Sequence, residues 1–263
     1  MSAIILDEKI VHYEVLGRGR PIIFLHGWVG SWRYWVPAMQ AAAVSFRAYA
    51  LDLWGFGDTA KVPERYSLEQ QVFLLDRFMQ EMGIGRVALI GHGLGALAAI
   101  LFTRKYPAMV DRLMAVSVPF EVKSVAGRLS NPASPADLAD WLLGRDPLTE
   151  PARVDAPKAD PQAITTSFEN FDARGILTVM DTLTTPCLIV HGRSDPAVQS
   201  LDDERIMVMP ELVHQVVLEE SGHFPMLDES PTFNHLMTNF LALVSGESPR
   251  DLQLKEEWKR RVR

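Results

Sequence analysis

Short runs of apolar residues alternate along the chain with longer segments whose apolar positions recur every three or four residues. The inner runs 87–90 (VALI) and 187–190 (CLIV) contain apolar residues only, which is typical of strands buried on both faces of a parallel sheet. The pattern predicts strands at residues 9–16, 21–25, 46–51, 86–90, 112–118, 186–190 and 215–218.

Helical periodicity fills most of the segments between these strands. In 68–82 the residues Val72, Leu75, Phe78 and Met79 fall on one helical face, and Gly83 provides the stop. The same reasoning predicts helices at 94–106, 135–143 and 229–244. Strands that alternate with helices predict an α/β fold, with a mostly parallel central sheet and helices on both faces.

The segment 120–166 breaks this alternation. It holds six of the 17 prolines and one short helical pattern, so it is either a loose surface insertion or a lid over a site, and a lid is favoured. We therefore expect a core made of 1–119 and 167–249, a small proline-rich cap at 120–166 and a charged tail at 250–263. The tail carries six basic and three acidic residues, which fits a solvated segment better than a partner-binding one.

Composition excludes several classes of protein. The 263 residues carry a net charge of −7, so the surface has no electrostatic reason to bind nucleic acid or an anionic membrane. No apolar stretch is long enough for a membrane span, and the first 25 residues lack a signal-peptide pattern. One cysteine, Cys187, and the absence of CxxC spacing fit a reducing compartment. We expect a cytoplasmic protein with no metal and no cofactor.

Candidate chemistry lies in turns that follow the strands, where a parallel sheet presents its ligand site. The turns are His26-Gly27-Trp28, the segment 51–57 (LDLWGFG), the segment 91–95 (GHGLG), Asp195 and His223. Glycines at 91, 93 and 95 suggest a phosphate loop, but the lysine of a P-loop is missing and the dinucleotide pattern fails at residue 96.

In this order and spacing, the turns resemble those of the α/β-hydrolase family over essentially the whole chain. The resemblance implies that His223 is the catalytic base and that Asp195 is its orienting acid. It also implies an oxyanion hole formed by the backbone amides of Trp28 and Leu94, and a cap at 120–166. The family needs no cofactor.

One residue departs from the family pattern. The family carries a serine, aspartate or cysteine nucleophile at the centre of the 91–95 turn, and this chain carries Gly93. Glycine has no side chain that could attack a carbonyl carbon. The remaining candidates for a replacement nucleophile are better explained as structural residues; they are Ser31, Ser117, Ser194 and Cys187.

Aromatic residues cluster near the same turns. Trp54, Phe120 and Phe224, together with His26 and His92, predict a pocket that takes a small apolar ligand. We expect this ligand to be a carbonyl or ester-like compound.

Three functional hypotheses follow. The first is a ligand-binding hydrolase relative whose chemistry, at most, uses His223 and Asp195 as a general base without a covalent step. The second is a non-catalytic, partner-binding pseudohydrolase. The third is a nucleophile-knockout variant of an active serine hydrolase. Conventional serine-hydrolase activity is expected to be absent or very weak, and the sequence leaves open whether the protein is a monomer or a homodimer.

Overall fold

A sheet of eight strands forms the centre of the computed structural model, which describes residues 2–144, 146–169 and 173–252. The strands are Ser2–Leu6 (β1), Lys9–Gly17 (β2), Arg20–Leu25 (β3), Phe46–Leu51 (β4), Val87–His92 (β5), Val110–Val116 (β6), Cys187–Gly192 (β7) and Val213–Leu218 (β8). They lie in the order β1-β2-β4-β3-β5-β6-β7-β8. The pairs β1–β2 and β2–β4 are antiparallel and all other pairs are parallel, which confirms the predicted fold class.

The apolar runs form the middle of this sheet. Every residue of β5 and of β7 is buried, as expected for parallel strands covered on both faces. All seven predicted strands are present. The strand that sequence reasoning missed is β1, a short edge strand that pairs with β2 through a turn in which Asp7 and Glu8 have positive φ angles.

Helices pack on the sheet and join its strands. The helices of the described part are Val36–Ala42 (α1), Leu68–Glu81 (α2), Leu94–Lys105 (α3), Gly127–Ser130 (α4), Pro135–Leu142 (α5), Glu150–Asp155 (α6), Pro161–Glu169 (α7), Ala173–Asp181 (α8), Asp203–Met207 (α9), Pro225–Asp228 (α10) and Ser230–Ala242 (α11). Helix α1 packs against α11, while α2 and α8 pack against α3. No helix in these residues is both long and apolar enough to cross a bilayer.

Local signals explain where the helices start and stop. Ser67 caps α2 by accepting a hydrogen bond from the Gln70 amide, and Gly83 follows the last turn with a φ of 64°. These are the boundaries that the sequence predicted to within one residue.

The segment between β6 and β7 contains more helix than its proline content predicted. Pro135, Pro151 and Pro161 each stand in the first turn of a short helix, where proline is favoured because no amide hydrogen is needed there. Helix α7 runs to Glu169, beyond the expected cap boundary at 166, and that boundary stays a prediction. Residues 253–263 of the expected tail lie outside the described residues.

Candidate active site

The turn between β5 and α3 is a sharp strand-to-helix elbow with Gly93 at its centre. Gly93 has φ 50° and ψ −112°, a backbone conformation that costs a residue with a Cβ on the order of 1–3 kcal/mol. Its amide donates to the Val116 carbonyl oxygen over 2.9 Å, and the Gly95 amide donates to the His26 carbonyl oxygen over 3.0 Å. These bonds tie the elbow to β6 and to the turn after β3.

The Trp28 indole covers the centre of the elbow. A Cβ added to Gly93 would lie 2.8 Å from Cζ3 and 2.9 Å from Cε3 of Trp28, closer than carbon atoms pack without a shift. The indole is only 1% exposed. Its Nε1 donates to Ser167 Oγ over 2.8 Å, and its ring stacks on Phe168 with centroids 4.9 Å apart. Helix α7 therefore holds the ring that lies over Gly93.

His223 and Asp195 form a buried pair. Nδ1 of His223 lies 2.8 Å from Oδ2 of Asp195, and each side chain is 1% exposed. Oδ1 of Asp195 accepts hydrogen bonds from the amides of Ala197 and Val198. Burial alone would raise the pKa of Asp195, but the charge and hydrogen bond of His223 and these two amides lower it. Asp195 is thus ionised and orients the imidazole.

The amides expected to form an oxyanion hole belong to Trp28, which follows β3, and to Leu94, the first residue of α3. In residues 2–144, 146–169 and 173–252, neither amide donates a hydrogen bond to a backbone or side-chain acceptor. Their role as an oxyanion hole stays a prediction.

A hydrogen-bonded chain runs beneath the site through His92. Nε2 of His92 lies 2.9 Å from the His223 carbonyl oxygen, so this nitrogen must carry the proton and donate. Nδ1 then accepts from the Tyr34 hydroxyl over 2.9 Å, and that hydroxyl accepts from the Gly27 amide. Burial holds the pKa of His92 well below its usual range. His92 is therefore a neutral link between the two loops.

His26 has a similar structural role. Its Nδ1 donates to the Gly27 carbonyl oxygen over 2.8 Å, and its Nε2 accepts from the Leu53 amide over 3.0 Å. Burial lowers its pKa, so the ring stays neutral and both nitrogens are occupied. Its hydrogen bonds shape the turn that carries Trp28.

The other residues of the predicted pocket are buried aromatic side chains. Trp54, Phe120 and Phe224 are each 1% exposed. Phe224 contacts the rings of His92 and His223, and Phe120 lies 6.2 Å from the ring of His191. Membership of a ligand pocket stays a prediction for all three. A groove of about 810 Å³ does lie nearby, beside Asp195 and Phe120.

Sequence reasoning missed several residues of the site. Tyr34 stands between two tryptophans in the WRYW segment 32–35, and its hydroxyl gave no separate signal. Ser167 and Phe168 lie in a helix whose place over Trp28 depends on tertiary packing. No local pattern could have identified them.

Asp52 stabilises the turn formed by residues 51–57 and is not part of the His223–Asp195 pair. Its carboxylate binds Nδ1 of His12 over 3.0 Å and accepts from the amides of Trp32 and Asp58. His12, Asp52 and Asp58 lie close enough to share a metal ion. However, Asp58 also binds Lys158, and all these contacts are explained by a structural ion-pair network.

Comparison with known proteins identifies the family. A model described as the alpha/beta hydrolase family matches residues 22–234, and the chain belongs to this family. The putative carbamate hydrolase RutD of Stutzerimonas stutzeri (strain A1501) is 24% identical over 261 residues, covering 90% of this chain and 98% of that protein.

Solved structures share the fold. The meta-cleavage product hydrolase CumD from Pseudomonas fluorescens IP01 superimposes with a TM-score of 0.78 at 22% identity, over 92% of this chain and 97% of that one. A serine-to-glycine variant of the N-acyl homoserine lactonase AidH, complexed with N-hexanoyl homoserine lactone, gives 0.78 at 22% identity, over 91% and 96%. At this level of identity the likeness concerns the fold alone.

Proposed function

We propose that this protein binds a small apolar carbonyl or ester-like compound at the His223–Asp195 site and uses no covalent nucleophile there. The observation that carries the proposal is the 2.8 Å contact between His223 Nδ1 and Asp195 Oδ2, next to an elbow whose central residue is Gly93. The pair retains a base with its orienting acid, while Gly93 supplies no attacking atom.

The chemistry open to such a site is general-base hydrolysis. His223 Nε2 takes a proton from water, and the water oxygen attacks the carbonyl carbon of the bound ester. The amides of Trp28 and Leu94 stabilise the oxyanion. The bond to the alcohol oxygen then breaks and His223 returns the proton to it, which gives a carboxylic acid and an alcohol.

Trp28 controls access in this account. Its indole fills the space above Gly93, so the carbonyl of a ligand can lie over Gly93 only after the ring leaves its stack on Phe168 and its hydrogen bond to Ser167. The net cost of giving up such a hydrogen bond is about 1 kcal/mol, which binding of a small ligand can offset. A cytoplasmic location is also proposed, because the single cysteine is free and buried.

Phenyl acetate tests the proposal, because it is a small apolar ester whose phenol product is easily measured. We expect saturable binding, detected by tryptophan fluorescence, and slow phenol release without an initial burst. His223→Ala should reduce the rate about 100-fold or more. His235→Ala, a histidine replacement in α11 outside the site, is the matched control and should leave the rate unchanged. A burst equal to the enzyme concentration, or full activity in His223→Ala, would contradict the proposal.

A second candidate is a non-catalytic pseudohydrolase that binds a partner protein. It is favoured by the position of the Trp28 ring, which occupies the space that a ligand would need. Under this hypothesis phenyl acetate neither binds nor is hydrolysed, even when Trp28→Ala opens the site. Binding that strengthens in Trp28→Ala supports the first candidate instead.

A further inference from the structure

Two polar residues that the proposed chemistry does not use lie at the ends of the strands next to the elbow. Val116 ends β6 and accepts the Gly93 amide, and the next residue, Ser117, donates its own amide to the Val190 carbonyl oxygen over 2.9 Å. Val116 pairs with Val190 in the sheet. Ser117 and His191 are therefore neighbours at the carboxyl ends of β6 and β7. Ser117 lies one strand away from Gly93, and His191 lies two strands away.

Ser117 has an unusual backbone and an unused hydroxyl. Its φ is 46°, in the left-handed region that residues with a Cβ rarely adopt outside functional sites. The side chain is fully buried, and its Oγ has no hydrogen-bond partner in the described part of the chain.

His191 is a second buried group whose hydrogen-bonding atoms are unused. It is fully buried, and neither Nδ1 nor Nε2 has a partner among the residues that the structure describes. Burial lowers the pKa of His191 to about 4, although Asp195 acts in the opposite direction. At neutral pH the ring is uncharged and offers one N–H donor and one lone pair.

Three buried polar atoms without a hydrogen-bond partner on two neighbouring residues are not expected in a purely structural core. Nearly all buried polar groups in proteins are hydrogen-bonded, and an unsatisfied one destabilises the folded state. Alanine and leucine would fill the same positions without that cost. The backbone of Ser117 is also strained at this position. We therefore expect a ligand to supply the hydrogen-bond partners of both residues.

We propose that Ser117 and His191 form a polar subsite that binds a second oxygen atom of the ligand. The proposal rests on the proposed function, because the first oxygen is the carbonyl held beside Gly93. Neighbouring strands are about 4.8 Å apart, so the second oxygen lies roughly 5 Å from the first. The ligand class is then an apolar ester or ketone with a keto or hydroxyl group a few bonds from its carbonyl carbon.

A groove of about 810 Å³ lies next to this subsite. Phe120, Gly192 and Asp195 line the groove, Gly192 follows His191 in β7, and the Phe120 ring lies 6.2 Å from the His191 ring. Ser117 and His191 are fully buried and do not themselves line the groove, so the groove borders the proposed subsite through Phe120 and Gly192.

Two esters of matched size test the subsite. Methyl 4-oxopentanoate carries a second carbonyl at the required separation, and methyl pentanoate lacks it. We expect the wild-type protein to bind the keto ester about ten-fold more tightly, since one or two buried hydrogen bonds distinguish the two esters. Ser117→Ala and His191→Leu should each remove most of this preference and leave the affinity for methyl pentanoate unchanged.

The outcomes separate this proposal from the one on which it rests. Equal binding of both esters overturns the subsite but leaves the proposed function intact, whereas binding of neither overturns both. The melting temperature of Ser117→Ala tests the subsite independently of ligand binding. Because the Ser117 hydroxyl has no partner within the chain, Ser117→Ala should not lower the melting temperature, and a clear decrease would show that the hydroxyl has a structural role.

Discussion

The Trp28 indole packs directly on Gly93 and leaves no room for a side chain at position 93. The indole ring lies where the Cβ of any other residue at position 93 would stand, and it is held there by Ser167 and Phe168. Glycine also adopts the positive φ of the elbow without strain. The indole of Trp28 thus fills the space that a side chain at position 93 would need.

This fit predicts that Gly93→Ser destabilises the protein and does not by itself restore hydrolysis. Backbone strain costs on the order of 1–3 kcal/mol, and displacement of the indole adds to it. Gly83→Ser is the matched control, because Gly83 has a φ of 64° but open space around its Cβ. Urea unfolding should show a larger loss for Gly93→Ser than for Gly83→Ser.

A double-mutant cycle identifies the cause of that loss. Trp28→Leu removes the ring atoms that would clash with a serine side chain at position 93. Gly93→Ser should therefore lower the free energy of unfolding less in the Trp28→Leu background than in the wild type. We expect the double variant to be more stable than the sum of the single effects by about 1 kcal/mol or more. Strictly additive effects would show that Trp28 does not restrict position 93.

The segment 120–169 is joined to the rest of the chain by a buried carboxylate. Asp155 in α6 is 1% exposed and binds Arg33 Nε over 2.8 Å, together with the Ser31 hydroxyl and Lys158. These bonds hold α6 against the segment that follows Trp28.

Removal of Asp155 should therefore loosen the segment 120–169. We expect Asp155→Ala to lose about 1–3 kcal/mol of stability, since the buried Ser31 hydroxyl and the Arg33 guanidinium lose their acceptor, and to increase proteolytic cleavage between 120 and 169. The control is Asp140→Ala, which removes the exposed partner of Arg153 and should change little. Equal cleavage in both variants would mean that Asp155 does not hold this segment in place.

Elements differed in how far the sequence predicted them. Buried strands such as β5 and β7 could be predicted because a short run of apolar residues only is typical of a strand covered on both faces. The elbow could be predicted because its glycines have a fixed spacing. Helices α6 and α7 were missed because the proline in the first turn of each of them also signals a loop. Trp28 was expected to contribute its backbone amide, and the position of its indole depended on Ser167, 139 residues away.

At the scale of the whole molecule, buried neutral histidines set the response to pH. Burial is the first cause of the lowered pKa in each of His26, His92, His191 and His214. Below pH 6.5 the unfolded chain binds protons at these positions while the folded chain does not, so the free energy of unfolding falls as the pH falls. The raised pKa of His12, held by Asp52 against the effect of burial, acts in the opposite direction.

The contribution of His191 can be measured separately. With a folded pKa of about 4 against 6.5, it should account for about 2 kcal/mol of the stability lost between pH 7 and pH 5. His191→Leu should therefore show a smaller loss over this range in urea unfolding. An identical pH dependence in the variant would show that folding does not lower the pKa of His191.

Covalent labelling tests directly whether the site contains a nucleophilic serine. The protein is incubated with an alkyl fluorophosphonate and its intact mass is measured, with His223→Ala treated in parallel. We expect no adduct on the wild-type chain, because Gly93 offers no attacking oxygen and the Ser117 hydroxyl has no hydrogen-bonded base among the described residues. A stoichiometric adduct on any serine that disappears in His223→Ala would show that the site does contain a nucleophilic serine.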